Sequence, residues 1–234
     1  MSMERPKFGL SSFALHILAM LFMLCDHLYL TLLPNLPLLR CIGRLAFPMF
    51  AFMAVEGFFH TKSFKNYLLR LFLLAVISEI PFNLLVGGTV LYPEKQNVVW
   101  TLMLGLCCVW AFERGKTAKS ARDLALCALI MVGSFAAAFL LKVDYSAAGF
   151  LTVLAFYFLR NEKNRVWQFV LLAMAISVLL GGMSLEFSQQ DFAVLSLVFI
   201  WLYDGRQGLH GRPIQIANYL FYPTHMLILA LLAI

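Results

Sequence analysis

Apolar segments follow one another along almost the whole chain and are separated only by short polar loops. An α-helix needs roughly 20 apolar residues to cross a bilayer. Most of the segments reach that length, while the short sixth and eighth could be re-entrant or incomplete. The sequence therefore predicts an all-α fold, a polytopic integral membrane helix bundle of about nine transmembrane helices within a range of eight to ten. The predicted helices lie at 8–33, 41–60, 65–87, 98–113, 122–142, 146–160, 166–182, 190–204 and 215–234.

The composition agrees with a membrane protein of one domain. Hydrophobic residues make up 62% of the 234 residues and charged residues only 13%, which would leave a soluble globule short of polar surface. We find neither a long polar tract nor an internal repeat, so residues 1–234 are expected to form a single transmembrane domain. The five cysteines lack the paired spacing of a zinc site, and no metal is predicted.

The lysines and arginines indicate an orientation. With a cytoplasmic N-terminus, thirteen of the 18 would lie in inner segments and three in outer loops, a strong positive-inside bias. Topology alone could explain this charge, but the inner cations could also bind a phosphate-bearing cytosolic ligand. Their dispersal over short loops does not favour nucleic acid. The candidates for contact with such a ligand are Arg114, Lys116, Arg160 and Arg206, together with Arg70 inside the third helix.

Ionisable residues also occur inside the apolar segments, where they are costly unless they pair or line a polar cavity. Asp26 and His27 lie in the outer half of the first helix, and Arg44 begins the second helix at a similar depth. His225, in the last helix, lies somewhat deeper. Further polar residues expected at or near this outer layer are Glu79, Asn83, Asn97, Asp144 and Tyr145.

Each of these residues also has a purely structural interpretation. Asp26 and Arg44 could simply neutralise each other between helices. Neighbouring residues on a helix point about 100° apart, so Asp26 is a poor partner for His27, and a partner from another helix is expected. Glu56 lies about 120° around the second helix from Arg44 and need not share its site. His225 follows a proline that loosens the helix, and functional and packing roles are equally open for it.

Two functional classes fit these features. A proton-coupled transporter would use intramembrane carboxylates and histidines as a relay. A membrane acyltransferase would use a histidine to deprotonate an acceptor or to carry the acyl group, with a phosphorylated donor at the basic inner loops. Transporters often contain repeated halves with matching broken helices, and no such symmetry is evident. The sequence therefore favours the enzyme modestly.

The order of motifs strongly resembles the TraX family of conjugal-transfer proteins over nearly the whole chain. The motifs are Asp26-His27; residues 44–57, RLAFPMFAFMAVEG; residues 67–70, YLLR; residues 77–83, ISEIPFN; Gln96-Asn97 with Thr101; Asp144-Tyr145 with Gly149; and residues 222–225, YPTH.

The resemblance implies a multi-pass acetyltransferase of the plasma membrane, the bacterial inner membrane, with acetyl-CoA as donor. The namesake activity is acetylation of a pilin N-terminus. TraX-like proteins also resemble a wider superfamily of transmembrane acyltransferases with a central intramembrane histidine, for which His27 is the best candidate here. The acceptor expected for this chain is a peptide amine, a sugar hydroxyl or a lipid-linked group.

Roles follow from this resemblance as hypotheses. His27 would act as general base or acyl carrier. Glu79 or Asp144 would hold its tautomer, and Arg44, paired with Asp26, or Asn97 would favour the developing oxyanion. The acceptor would meet Glu56, Asn83, Tyr145 and His225.

Overall fold

The computed structural model describes residues 9–162, 164–181 and 188–233, which contain helices and connecting turns but no strand. The helices α1 to α6 are Ser12–Thr31, Pro37–Gly43, Ala46–His60, Phe64–Gly87, Val98–Lys116 and Ala121–Leu140. Next come α7 (Ser146–Leu159) and α8 (Arg165–Ile176), which continues as a π-helical turn, Ser177–Gly181. A 3₁₀ segment, Gln189–Leu195, runs into α9 (Ser196–Trp201), and the last described helix is α10 (Arg212–Leu232).

The prediction of an all-α membrane bundle is confirmed, but the count of about nine spans is not. Among the described residues, six helical segments are long and apolar enough to cross a bilayer: Ser12–Thr31, Pro37–His60, Phe64–Gly87, Val98–Lys116, Ala121–Leu140 and Arg212–Leu232. The predicted spans 146–160, 166–182 and 190–204 correspond to shorter apolar helices. With 14 residues, α7 extends about 21 Å, less than the hydrocarbon thickness of about 30 Å.

Local sequence explains where the helices begin. At five starts the side chain of a serine or asparagine accepts a hydrogen bond from a backbone N–H of the first turn, the usual N-cap arrangement. Pro37 begins α2, where its missing N–H is tolerated. The capping residues are Ser11, Ser63, Asn97, Ser120 and Asn164.

The central helices are covered by their neighbours, and the outer helices expose apolar side chains. Phe47, Met49 and Val55 make α3 the most buried long element, against α1, α5, α7 and α9. In contrast, Leu129 and Val132 of α6 are each 67% exposed. Such a surface is compatible with a lipid environment.

The first and last described helices are parallel neighbours. The segment before α1 pairs with the segment before α10: the Ser12 N–H donates to the Arg206 carbonyl at 2.8 Å, and the Asp204 N–H donates to the Leu10 carbonyl at 3.1 Å. Both helices therefore start at the same end of the bundle and run side by side. We call this the cation-rich end, because Arg114, Lys116, Arg160, Arg165 and Arg206 lie at or near helix ends there.

Candidate active site

Two histidines from the parallel helices α1 and α10 meet inside the bundle. Nδ1 of His27 lies 2.7 Å from Nε2 of His225, and the ring planes differ by only 6°. His225 is buried, with 6% of its surface exposed. The partner of His27 therefore comes from another helix, as expected. It is His225, for which the sequence left a packing role and a functional role equally open.

The hydrogen bonds of this pair assign its tautomers. Nδ1 of His225 lies 2.6 Å from the carbonyl oxygen of Phe221, which can only accept, so this nitrogen carries the proton. In a neutral ring Nε2 of His225 is then an acceptor, and Nδ1 of His27 must be the donor. Nε2 of His27 retains its lone pair, and no residue within the described ranges hydrogen-bonds it. The pair thus presents one oriented, unprotonated imidazole nitrogen.

Asp26, next to His27, is held by two arginines. Its Oδ1 accepts hydrogen bonds from Nε of Arg44 at 3.1 Å and from Nη2 of the same residue. Its Oδ2 accepts one from Nη1 of Arg40 at 2.9 Å. Nη1 of Arg44 donates to the Tyr145 hydroxyl at 3.2 Å and to Oε1 of Gln190 at 3.0 Å. Most donors of Arg44 are thus occupied, which favours the scaffold interpretation over the predicted oxyanion role.

Sequence reasoning missed Arg40 and Gln190 in this network. Arg40 was one of the three cations that the positive-inside analysis assigned to outer loops, but it stands one helical turn before Arg44 on the short helix α2. That spacing of four residues was the available signal for a shared face. Nothing in the sequence singled out Gln190, which reaches the network from the 3₁₀ segment.

Glu79 and Asn97 join α4 to α5 and do not contact His27. Oε2 of Glu79 accepts hydrogen bonds from the side-chain amide of Asn97 and from Nε1 of Trp100, the latter at 3.0 Å. Asn97 also caps α5 through the N–H of Val99 at 3.1 Å. The predicted role of Glu79 as the orienting group of His27 is therefore wrong in this geometry, because His225 already occupies Nδ1 of that ring.

Asp144 organises the loops at the end of the bundle opposite the cation-rich end. Its Oδ1 accepts from Nζ of Lys95 at 2.7 Å and from the N–H of Tyr145 at 3.0 Å, so it does not hold the tautomer of His27 either. Tyr145 stacks on Phe47 with centroids 4.2 Å apart. Asn83 donates to the Val90 carbonyl at 3.0 Å. These residues lie in the predicted outer layer but contact the loops and helix starts around the histidine pair.

Most of the predicted phosphate-binding cations are paired with carboxylates. Nζ of Lys116 lies 3.0 Å from Oε1 of Glu113, and Nε of Arg160 lies 2.7 Å from Oε1 of Glu56. The guanidinium of Arg206 pairs with Asp204 at 2.6 Å, and this carboxylate raises the pKa of Arg206. Arg114 is exposed, and Arg70 lies over the ring of Tyr67, 5.7 Å from its centroid. Glu56 thus belongs to the cation-rich end and lies apart from the outer polar layer.

A cavity of about 470 Å³ extends from the cation-rich end to residues one helical turn short of the histidine pair, and neither His27 nor His225 is among its lining residues. Ser12, Gln207 and His210 line its mouth, and Val98, Phe221 and Tyr222 line its deep part. Phe221 and the cavity-lining Met23 stand one helical turn before His225 and His27. His16 also lines the cavity, and its Nδ1–H donates a hydrogen bond to the Ser12 carbonyl at 2.8 Å. His16 therefore faces the open space of the cavity.

The comparisons with known proteins found one family profile and two relatives. A family profile described as "TraX protein" matches residues 11–233. The "Probable fimbrial assembly protein FimC, serogroup H1" of Dichelobacter nodosus is 30% identical over 246 aligned positions, which cover 94% of each chain. An uncharacterized protein of Rickettsia prowazekii (strain Madrid E) is 30% identical over 105 positions, 44% of this chain and 38% of that protein. No solved structure matches the chain significantly.

Proposed function

The chain belongs to the TraX family, and from this premise we propose that it is an integral membrane acyltransferase that uses acetyl-CoA to acetylate an amine or hydroxyl acceptor. The observation that carries the proposal is the oriented Nε2 of His27, one helical turn beyond the cavity-lining Met23. A general base needs a free lone pair that can come within hydrogen-bond reach of the proton it removes. This proposal includes membership of the wider transmembrane acyltransferase superfamily.

The cavity is suited to the donor. Its volume of about 470 Å³ is typical of sites for small molecules and cofactors. Apolar side chains such as Leu71 and Leu102 line its length, which suits a thin pantetheine arm. Near the mouth, Arg70 packs on the cavity-lining Tyr67, and Arg212 begins α10 next to the lining residue Gly211. These two arginines are the cations we assign to the phosphates of the donor.

His27 performs the proton transfer in the proposed reaction. Its Nε2 accepts the proton of the acceptor N–H or O–H while the acceptor atom attacks the thioester carbonyl. The protonated ring is stabilised because its Nδ1–H already points at Nε2 of His225, and His225 is fixed by the Phe221 carbonyl. When the carbon–sulfur bond breaks, Nε2 returns the proton to the leaving thiolate. His27 and His225 thus act as base and positioning residue.

Of the three acceptor classes, a peptide amine is proposed as the first choice, ahead of a sugar hydroxyl and a lipid-linked group. The support comes from the relative that is described as a probable fimbrial assembly protein, because fimbriae are built from exported polypeptides. The orientation with a cytoplasmic N-terminus in the plasma membrane is part of the proposal. It places the cavity mouth, and hence the soluble donor, on the cytoplasmic side.

The test is release of free CoA by the purified protein in a lipid environment with acetyl-CoA and candidate acceptors. His27→Ala should lower turnover about 10²- to 10⁴-fold, the usual range for general base catalysis, while the melting temperature stays near that of the wild type. His60→Ala is the matched control, because His60 lies at the cation-rich end with 66% of its side chain exposed. His16 cannot serve, since it lines the cavity. Normal turnover in His27→Ala would contradict the proposal, and proton flux in vesicles without CoA release would favour a transporter.

A further inference from the structure

A second cavity lies at the cation-rich end, on the other face of α3 from the first. It measures about 260 Å³ and is enclosed by α3, α7, α8 and α9. Its floor is apolar, with Phe52, Leu172 and Leu197 among the lining residues. At its rim stand Arg160 and Arg165. We call it the arginine cleft.

The charges in the arginine cleft do not balance. Arg160 is neutralised by Glu56 at 2.7 Å, and its guanidinium lies over the ring of Phe59, 4.2 Å from the centroid. Within the described ranges, the hydrogen bond of Arg165 is a long one, 3.4 Å, to the Trp201 carbonyl. Among the described residues, no carboxylate lies within 4.0 Å of it. One partly buried positive charge therefore lacks a counter-ion among the residues that the structure describes, and a bound anion would supply it.

The surroundings of the cleft indicate the depth at which it lies in the membrane. Trp201 lines the cleft and is 45% exposed, and exposed tryptophans are enriched where lipid headgroups begin. Val198, three residues before Trp201 on α9 and 48% exposed, continues this apolar surface beside the cleft. A headgroup at the rim would therefore have its acyl chains next to an apolar helix face.

We propose that the arginine cleft binds the headgroup of an anionic phospholipid. Its phosphate would be held by Arg165 and by the Nη atoms of Arg160, for which a guanidinium fork is well matched. Basic pockets between membrane helices at this level are known to take anionic lipid headgroups. A soluble nucleotide is the less suitable occupant, because the exposed apolar surface beside the cleft would remain in contact with water. The site is separate from the donor cavity and does not depend on acyl transfer.

The experiment is lipid retention by the full-length protein in detergent micelles, counted by native mass spectrometry with phosphatidylglycerol and phosphatidylcholine as probes. The wild type should retain one phosphatidylglycerol with about tenfold preference over phosphatidylcholine. Arg165→Gln should abolish the preference, and Arg165→Lys should keep part of it because the charge remains without the fork. Arg122→Gln is the matched control, since Arg122 is an exposed cation in the first turn of α6 at the same end. It should leave the preference unchanged.

Two results would overturn the proposal. The first is an equal loss of preference in Arg165→Gln and Arg122→Gln, which would mean that the lipids respond only to the total charge of that end. The second is displacement of phosphatidylglycerol by adenosine 3′,5′-bisphosphate at lower concentration than the lipid itself, which would assign the cleft to a soluble nucleotide. The melting temperature of each variant, measured without added lipid, should match the wild type, because Arg165 has no ion pair to lose among the described residues.

Discussion

His27 and His225 are separated by 198 positions in the chain, yet Nδ1 of the first lies 2.7 Å from Nε2 of the second. The direction of the hydrogen bond is fixed by a backbone carbonyl, that of Phe221, and needs no carboxylate. A neutral orienting group suits this depth in the membrane, since a second buried anion beside Asp26 would need its own counter-charge.

The role of His225 can be separated from simple packing. His225→Phe keeps an aromatic ring but removes the acceptor for Nδ1 of His27, and turnover should fall about 10²-fold or more because the wrong tautomer of His27 becomes accessible. His225→Gln retains an acceptor oxygen and should recover part of the loss. The measurement is kcat at saturating acetyl-CoA, with melting curves for both variants. Equal activity of the two variants would show that only the shape of residue 225 matters.

Blocking the larger cavity should affect donor binding. Asn218 lines the cavity from α10, so Asn218→Trp is expected to raise KM for acetyl-CoA at least about tenfold, because the side chain would occupy the space for the donor arm. Ile216→Trp is the control on the same helix, where residue 216 is 56% exposed and does not line the cavity. If both changes leave KM unaltered, the donor enters elsewhere.

The ion pairs around Asp26 predict an order of stability. Asp26→Ala leaves Arg44 buried and uncompensated and should destabilise the fold by about 3–5 kcal/mol. Arg40→Ala should cost about 1 kcal/mol or less, because the side chain of Arg40 is 26% exposed and that of Arg44 only 9%. Unfolding in mixed micelles would give the differences. A loss in Arg40→Ala as large as that in Asp26→Ala would contradict the assignment of Arg44 as the principal partner.

Two glycines form a matched pair for testing close helix contact. A Cβ atom on Gly43 would lie 2.7 Å from Cα of Asp26, whereas one on Gly133 would meet nothing within 4 Å. Gly43→Ala should therefore force α2 away from α1 and destabilise the protein by about 1–3 kcal/mol or more. Gly133→Ala, in the middle of α6, should be neutral or stabilise by about 0.5–1 kcal/mol. The measurement is the melting temperature of each variant relative to the wild type, obtained by thermal unfolding of the two side by side.

The parallel arrangement of α1 and α10 predicts the side of each terminus. Because both helices start at the cation-rich end, a reporter fused before Met1 and one fused after Ile234 should lie on opposite sides of the membrane, the former cytoplasmic. An odd number of crossings is therefore required, whichever of the short helices α7 to α9 cross completely. Reporters on the same side would contradict this arrangement.

The sequence predicted the helices and part of the polar layer for clear physical reasons. Apolar runs and serine or asparagine caps define helix ends locally, and the cost of an unpaired charge in hydrocarbon made the Asp26–Arg44 pair foreseeable. The His27–His225 contact was not foreseeable, because it depends on how the helices α1 and α10 pack along their length. The same limit applies to the cations: nothing local shows that Arg160 meets Glu56, which lies 104 positions away.

The placement of the two histidines on the first and last described helices has a consequence for biosynthesis. A ribosome delivers α1 to the membrane long before α10 is made, so nascent chains carry His27 without the ring that orients it and without one wall of the larger cavity. In the proposed reaction, such chains would be unable to bind a thioester or to transfer an acyl group prematurely. Insertion of α10 beside α1 would then be the step that brings His225 to His27 and completes the site.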